Sequence, residues 1–289
     1  MTGPPERPVS RRYAATVPEL PEVETVRRQL DPLIRGAVVV AGRAHPSAKF
    51  ASGPDAVGHR FSSVDRRGKY LLLGLEPVTS PNGAPLELVV HLGMTGALHV
   101  DPSPPVDPYA RAEWELDDGR WLWFRDIRRF GRTVVVLRGD HRLLPTLRDL
   151  GPEPFDPALT GASFHRALVG SRRRVKTQLL SQRLVAGVGN IYADEALWRA
   201  GINPGTRRVG PERATRLLNH LRDVLAEALD HGGTTLRDYR TPDRSTGSNQ
   251  HRLDCYGRSG LPCRECGGLL TSRPIDQRTT TWCPTCQAR

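Results

Sequence analysis

Cys263 and Cys266 stand two residues apart, as do Cys283 and Cys286, and sixteen residues separate the pairs. Thiolates at this spacing close on one tetrahedral ion, the geometry of a structural zinc ribbon. So short a segment depends on its metal for its fold. The intervening GGLLTSRPIDQRTTTW reads as a two-stranded hairpin. Buried thiols or disulfides are the alternative, and thiol usage of this kind fits a reducing cytoplasm better. Cys255 lies outside the set and reads as a small buried hydrophobe.

At the other end, Pro18-Glu19-Leu20-Pro21-Glu22 sets two carboxylates and two prolines ahead of an apolar-periodic helix, with Val23, Val26 and Leu30 on one face. Pro21 suits a first turn, and Glu22 and Glu24 suit the positive end of the dipole. On residue types alone this is an ordinary capped helix. Elsewhere, Gly187-Val188-Gly189-Asn190 can aim backbone N–H groups at an anion. Arg66-Arg67-Gly68-Lys69-Tyr70 is a basic turn before an apolar strand. Asp126-Ile127-Arg128-Arg129-Phe130-Gly131 is a basic, aromatic loop, and Met94 follows the strand ending at His91. Taken singly, these are a helix–helix turn, two solvated loops and a core methionine.

The elements that must position these groups fall into two sets. Short β-branched or alternating segments at Ala37–Ala41, Arg60–Val64, Tyr70–Leu75, Leu86–His91, Ala97–Val100, Ala112–Leu116, Trp121–Arg125 and Thr133–Leu137 predict a β-sandwich or barrel, with a turn at Asp118-Gly119. Asp31-Pro32 and Gly36 predict the end of the first helix. Helical patterns follow at Ser163–Val169, Arg174–Ser181, Asp194–Ala200 and Pro211–Asp230, the last closed by Gly232-Gly233. The expected division is an extension at 1–17, a β-sandwich at 18–144, a proline-rich linker at 145–160, a helical domain at 161–250 and the ribbon at 251–289. The fold class is therefore α+β and multidomain.

Lys and Arg number 42 against 31 Asp and Glu, a net charge of +11. That favours a polyanionic partner, nucleic acid before an anionic membrane. No apolar run is long enough to span a bilayer, and the leading residues lack the apolar core of a secretory signal.

The order of these motifs resembles the formamidopyrimidine-DNA glycosylases, bacterial enzymes that excise oxidised purines. The resemblance runs from PELPEVETVRR through RRGKYLLL, HLGM, DIRRFG, GVGNIYADE and GGTTL…YGR to the cysteine pairs. It implies a two-layer β-sandwich with a leading helix, a helix-two-turns-helix domain and a ribbon holding one structural zinc. It implies a bifunctional glycosylase and abasic-site lyase acting on damaged double-stranded DNA in the cytoplasm, as a monomer associated with the nucleoid. Pro18 would be the nucleophile and Glu19 the acid/base, with Lys69 assisting catalysis at a phosphate. Glu22 and Glu195 would be supporting carboxylates. His91, Arg128, Asn190 and Arg278 would hold DNA, and Met94, Arg128 and Phe130 would enter the base stack left by the extruded nucleotide. The HLGM and PELPE forms favour the purine branch over an endonuclease VIII-like preference for pyrimidines. A DNA-binding paralogue without activity, and an RNA-directed zinc-ribbon protein, are the other readings. Two departures stand out. Ser248-Asn249 occupies a place where many members carry an aromatic pair, and seventeen residues precede Pro18. An internal proline has no N–H and cannot form an iminium. Residues 1–16, rich in Pro and Arg and without periodicity, are expected to be disordered or misread upstream sequence, with initiation at Val17 and removal of that residue to expose Pro18.

Overall fold

A computed structural model of the chain describes residues 17–50, 53–79, 83–236, 241–242 and 244–288. The expectation of disorder over 1–16 lies outside the described residues. Helix α1 (Leu20–Ile34) leads into eight strands: β1 (Val39–Ala44), β2 (His59–Arg67), β3 (Tyr70–Pro77), β4 (Leu86–His91), β5 (Gly96–Asp101), β6 (Ala110–Leu116), β7 (Trp121–Asp126) and β8 (Arg132–Leu137). They form two antiparallel four-stranded sheets, ordered β1-β6-β7-β5 and β2-β3-β4-β8. The inner faces enclose Phe61, Leu71, Leu73, Leu88, Trp114 and Phe124, and α1 adds Val23, Val26, Leu30 and Ile34 to the same core. This is the expected sandwich. The helix does not stop at Asp31-Pro32, however. Pro32 lies inside the last turn, where burial of Ile34 in the core offsets one lost backbone bond.

The second domain follows a short helix α2 (Pro145–Arg148) and comprises α3 (Gly161–Val169), α4 (Val175–Leu180), α5 (Asn190–Arg199) and α6 (Pro211–Asp230). Leu217, Leu221, Val224 and Leu225 of α6 pack on Phe164, Leu179, Ile191 and Leu197. Leu20, the first residue of α1, belongs to this helical core rather than to the sandwich. The start of the chain's first helix is thus wedged between the domains. The ribbon hairpin is β9 (Thr271–Ile275) and β10 (Arg278–Trp282), joined by Asp276 and Gln277, both with positive φ. That backbone matches the twist of a two-residue hairpin.

Helix α5 begins at Asn190, four residues before the expected start at Asp194. No side chain of its own caps it. Its acceptor comes from the other domain, so helical periodicity alone does not mark the start, although the Gly187–Asn190 pattern signals N–H groups aimed at an anion there.

Candidate active site

That acceptor is Glu19. Its carboxylate takes the backbone N–H of Gly189 at 2.5 Å and of Ile191 at 2.8 Å, at the positive end of α5. Leu20 N–H donates to Gly187 O at 3.0 Å and anchors the same junction. Gly189 must be glycine, because a Cβ there would lie 2.3 Å from the Glu19 carboxyl carbon. Burial raises the Glu19 pKa to about 7, although Lys69 and the two N–H groups pull the other way. Glu19 therefore holds a proton up to near neutrality, as a general acid requires. Pro18, beside it, is buried.

Glu22 sits one turn into α1 and accepts from three directions. Glu19 N–H donates at 2.8 Å, Tyr192 Oη of α5 at 2.6 Å and Thr234 N–H, beyond α6, at 2.6 Å. Gly233 has φ +83° and a Cβ there would meet Glu22 Oε1 at 2.9 Å, which explains the glycine pair closing α6. Burial raises the proton affinity of Glu22, against these hydrogen bonds.

Lys69 lies on the tight turn between β2 and β3 and is 8% exposed. Burial lowers its pKa, opposed by the carboxylates of Glu19 and Glu22. The turn is fixed by Glu153, from the segment expected to be a plain linker. Glu153 accepts Gly68 N–H at 2.7 Å, Arg66 Nη1 at 2.8 Å and Arg67 Nη1 at 3.0 Å. Arg66 also reaches Glu24 of α1 at 3.1 Å. Glu153, Tyr192 and Thr234 escaped the sequence reading; the pairing of Arg66-Arg67 with a distant acid carries no local signal.

The loops after β4 and β7 are pressed together. A Cβ on Gly93 would lie 2.4 Å from Gly131 N. Asp126 clamps both, taking Thr95 Oγ1 at 2.6 Å and Gly131 N–H at 2.7 Å. Phe130 is half exposed, and the Arg128 guanidinium stacks 4.7 Å from its ring centroid. Met94, on the adjoining loop, is partly exposed. His91 Nδ1 accepts Gly93 N–H at 3.1 Å. Burial, with the charges of Lys69 and Arg132, lowers its pKa to about 4. His91 is thus a neutral imidazole whose Nε2 carries the proton and can donate.

In the ribbon, the four Sγ atoms of Cys263, Cys266, Cys283 and Cys286 lie within 4.8 Å of one another. Tetrahedral Zn–S bonds of about 2.3 Å place sulfurs about 3.8 Å apart. The pairs Cys263–Cys286 and Cys266–Cys283, at 3.9 and 3.5 Å, fit that ion. Trp198 Nε1 and Cys286 N–H each approach a sulfur at 3.4 Å, as donors that favour thiolate. Cys255 stands apart, its Sγ donating to Thr281 O at 3.1 Å.

Arg278 is exposed at the start of β10, close enough for its charge to depress Lys69. The strand is pinned to the helical domain by a fully buried ion pair, Lys176–Asp194 at 2.7 Å. Lys176 Nζ also donates to Thr280 Oγ1 at 2.8 Å, and Asp194 Oδ2 accepts Thr281 N–H at 2.9 Å. Neither residue was singled out from the sequence. Asn190 Nδ2 donates to Thr279 O at 2.9 Å, at the same junction. Glu195 faces elsewhere: its carboxylate takes the N–H groups of Asp254, Cys255 and Tyr256 at 2.7–2.9 Å and shapes the approach to the ribbon. Burial raises its pKa to about 7.

Family models match all three parts of this architecture. The formamidopyrimidine-DNA glycosylase N-terminal domain matches residues 17–133, the family's H2TH domain matches 150–240, and the zinc finger found in FPG and IleRS matches 260–289. The chain belongs to the formamidopyrimidine-DNA glycosylase family. A formamidopyrimidine-DNA glycosylase of Thermus thermophilus is 48% identical over 275 residues, covering 94% of this chain and 98% of that protein. A structure of MutM in complex with DNA containing carbocyclic 8-oxo-G has a TM-score of 0.83 at 31% identity, over 94% of this chain and 100% of that one. A Lactococcus lactis Fpg variant bound to Fapy-dG DNA has a TM-score of 0.84 at 32% identity, with the same coverage. In this family member, the buried carboxylates and Lys69 lie where sandwich and helical domains meet. Among the described residues no helix is long and apolar enough to cross a membrane.

Proposed function

We propose that the chain is a bifunctional DNA glycosylase and abasic-site lyase that removes oxidised purines from duplex DNA, with Pro18 as nucleophile and Glu19 as proton donor. The reading is carried by the junction at which Pro18, Glu19, Glu22 and Lys69 meet the amino end of α5. Its net charge of +11 suits a duplex partner.

The Pro18 nitrogen acts only when it is free of its peptide bond to Val17, because an amide lone pair is delocalised over the carbonyl. A terminal α-amine titrates near about 8, so a useful fraction is unprotonated at neutrality. That amine attacks C1′ of an extruded nucleotide. The N–C1′ bond forms, the bond from C1′ to the base breaks, and the base leaves with the proton that the amine nitrogen gives up. Glu19, protonated to about pH 7, gives its proton to the sugar ring oxygen as the ring opens to the iminium. The iminium acidifies the C2′ proton, and the 3′ and then the 5′ phosphate depart by β and δ elimination. Glu22 supports Glu19, Lys69 meets the phosphate of the damaged nucleotide, and His91, Asn190 and Arg278 hold neighbouring phosphates. Met94, Arg128 and Phe130 fill the vacated stack. The zinc held by Cys263, Cys266, Cys283 and Cys286 is structural and supplies no reaction step. The enzyme works as a monomer on the nucleoid in the cytoplasm.

The test is base release from duplexes carrying 8-oxoguanine, a formamidopyrimidine or an oxidised pyrimidine. Preferential release of the two purine lesions is expected. Faster release of the pyrimidine would move the chain to the endonuclease VIII-like branch, and binding without any release would make it a DNA-binding paralogue.

A further inference from the structure

Asn249 stands in the segment between α6 and the ribbon hairpin. It opens a short 3-10 turn, Asn249–Arg252, and is 5% exposed. Its Nδ2 donates to Thr234 Oγ1 at 2.9 Å, Thr234 Oγ1 lies 2.9 Å from Tyr192 Oη, and Tyr192 Oη donates to Glu22 Oε1 at 2.6 Å. All four side chains are buried.

With Glu22 accepting at one end and the Asn249 amide donating at the other, one order of donors satisfies every bond in this chain. A phenol has one proton, and here Tyr192 points it at Glu22 Oε1. Tyr192 oxygen must then accept from the Thr234 hydroxyl, whose own oxygen accepts from an amide N–H₂ that can only donate. We infer that Asn249 is a positioning residue that fixes this direction, so that every hydroxyl points at Glu22 and the Glu22 carboxylate stays ionised beside Glu19. Successive donors polarise one another, and a carboxylate that receives such a bond is favoured in its charged form. The inference rests on the role proposed for Glu19, because a negative Glu22 adds to burial in strengthening the hold of Glu19 on its proton.

The other charged groups acting on the pair are the Lys69 ammonium on the β2–β3 turn, Arg278 beyond it on β10, and Lys176 of α4. On its far side Asn249 shares a small cavity with Glu195, Arg199, Glu227 and Arg252. Arg199 there is paired with Glu227 at 2.6 Å, and Glu195 is held by backbone N–H groups.

Carboxyl-carbon NMR titration of glutamate-labelled, zinc-loaded protein reads the Glu22 and Glu19 midpoints without DNA. Asn249→Leu should raise the Glu22 midpoint by about half a pH unit, the scale of a modest hydrogen bond, and lower that of Glu19. Thr234→Val, which keeps the shape and removes the hydroxyl, should do the same. The double variant should shift no further than either single one, since both interrupt one chain. Unchanged midpoints in either folded single variant, or additive shifts in the double, would overturn the inference. Failure of wild-type protein to release oxidised purines would instead strike the proposed function, because the titration involves no substrate.

Discussion

Glu19 at the head of α1 caps α5 of the other domain, its carboxylate 2.8 Å from Ile191 N. One side chain thus serves as a domain clasp and as the proposed acid. The two roles conflict over charge: the helix end favours the anion and burial favours the acid, and burial wins, at about 7.

The first prediction follows from that sign. A carboxyl whose folded pKa lies above its ordinary 4.5 binds its proton more tightly when folded. Its contribution to stability is full below about 4.5 and is lost as pH rises towards 7. Denaturant unfolding between pH 5 and 7 should show wild-type stability falling by about 1–3 kcal/mol from this group. Glu19→Gln should flatten that slope while base release drops by about 10²–10⁴-fold. An unchanged slope would place the proton elsewhere.

Zinc removal should loosen β10 and its Arg278. Cys263→Ser or Cys283→Ser should lose lesion-duplex binding together with one zinc per chain, because ribbons of this size do not hold their fold without metal. Metal-free protein that bound the duplex with undiminished affinity would contradict the structural role.

The phosphate grip and the wedge should fail differently. Arg278→Ala removes one charge and should flatten the log–log salt dependence of binding by about one unit. Phe130→Ala removes an uncharged ring, so it should leave that slope alone and slow base extrusion, read by 2-aminopurine fluorescence opposite the lesion. Equal slope changes would refute the division.

Much of the architecture was legible because its signals are local. The short apolar runs of Tyr70–Leu75 and Leu86–His91, and the apolar face of Pro211–Asp230, are strand and helix signals carried by neighbouring residues. The four cysteines carry their geometry in their spacing. What stayed hidden was held by partners far along the chain. The start of α5 depends on Glu19, 170 residues from Gly189. The β2–β3 turn depends on Glu153, 85 residues from Gly68, in a stretch whose prolines suggested only a connector. The buried Lys176–Asp194 pair joins two separate helices, so neither helical pattern signals it. Glu195 was expected near the reacting groups, yet its carboxylate is taken up by Asp254, Cys255 and Tyr256.

The central claim is that the Pro18 nitrogen is the nucleophile and acts only as a terminal amine. The direct measurement is borohydride trapping on a lesion duplex, with the adduct mapped by mass spectrometry, for a chain beginning at Pro18 and for residues 1–289 with processing blocked. The account predicts an adduct on Pro18 of the short form and none on the long one. Equal trapping of both forms through Lys69 would contradict it.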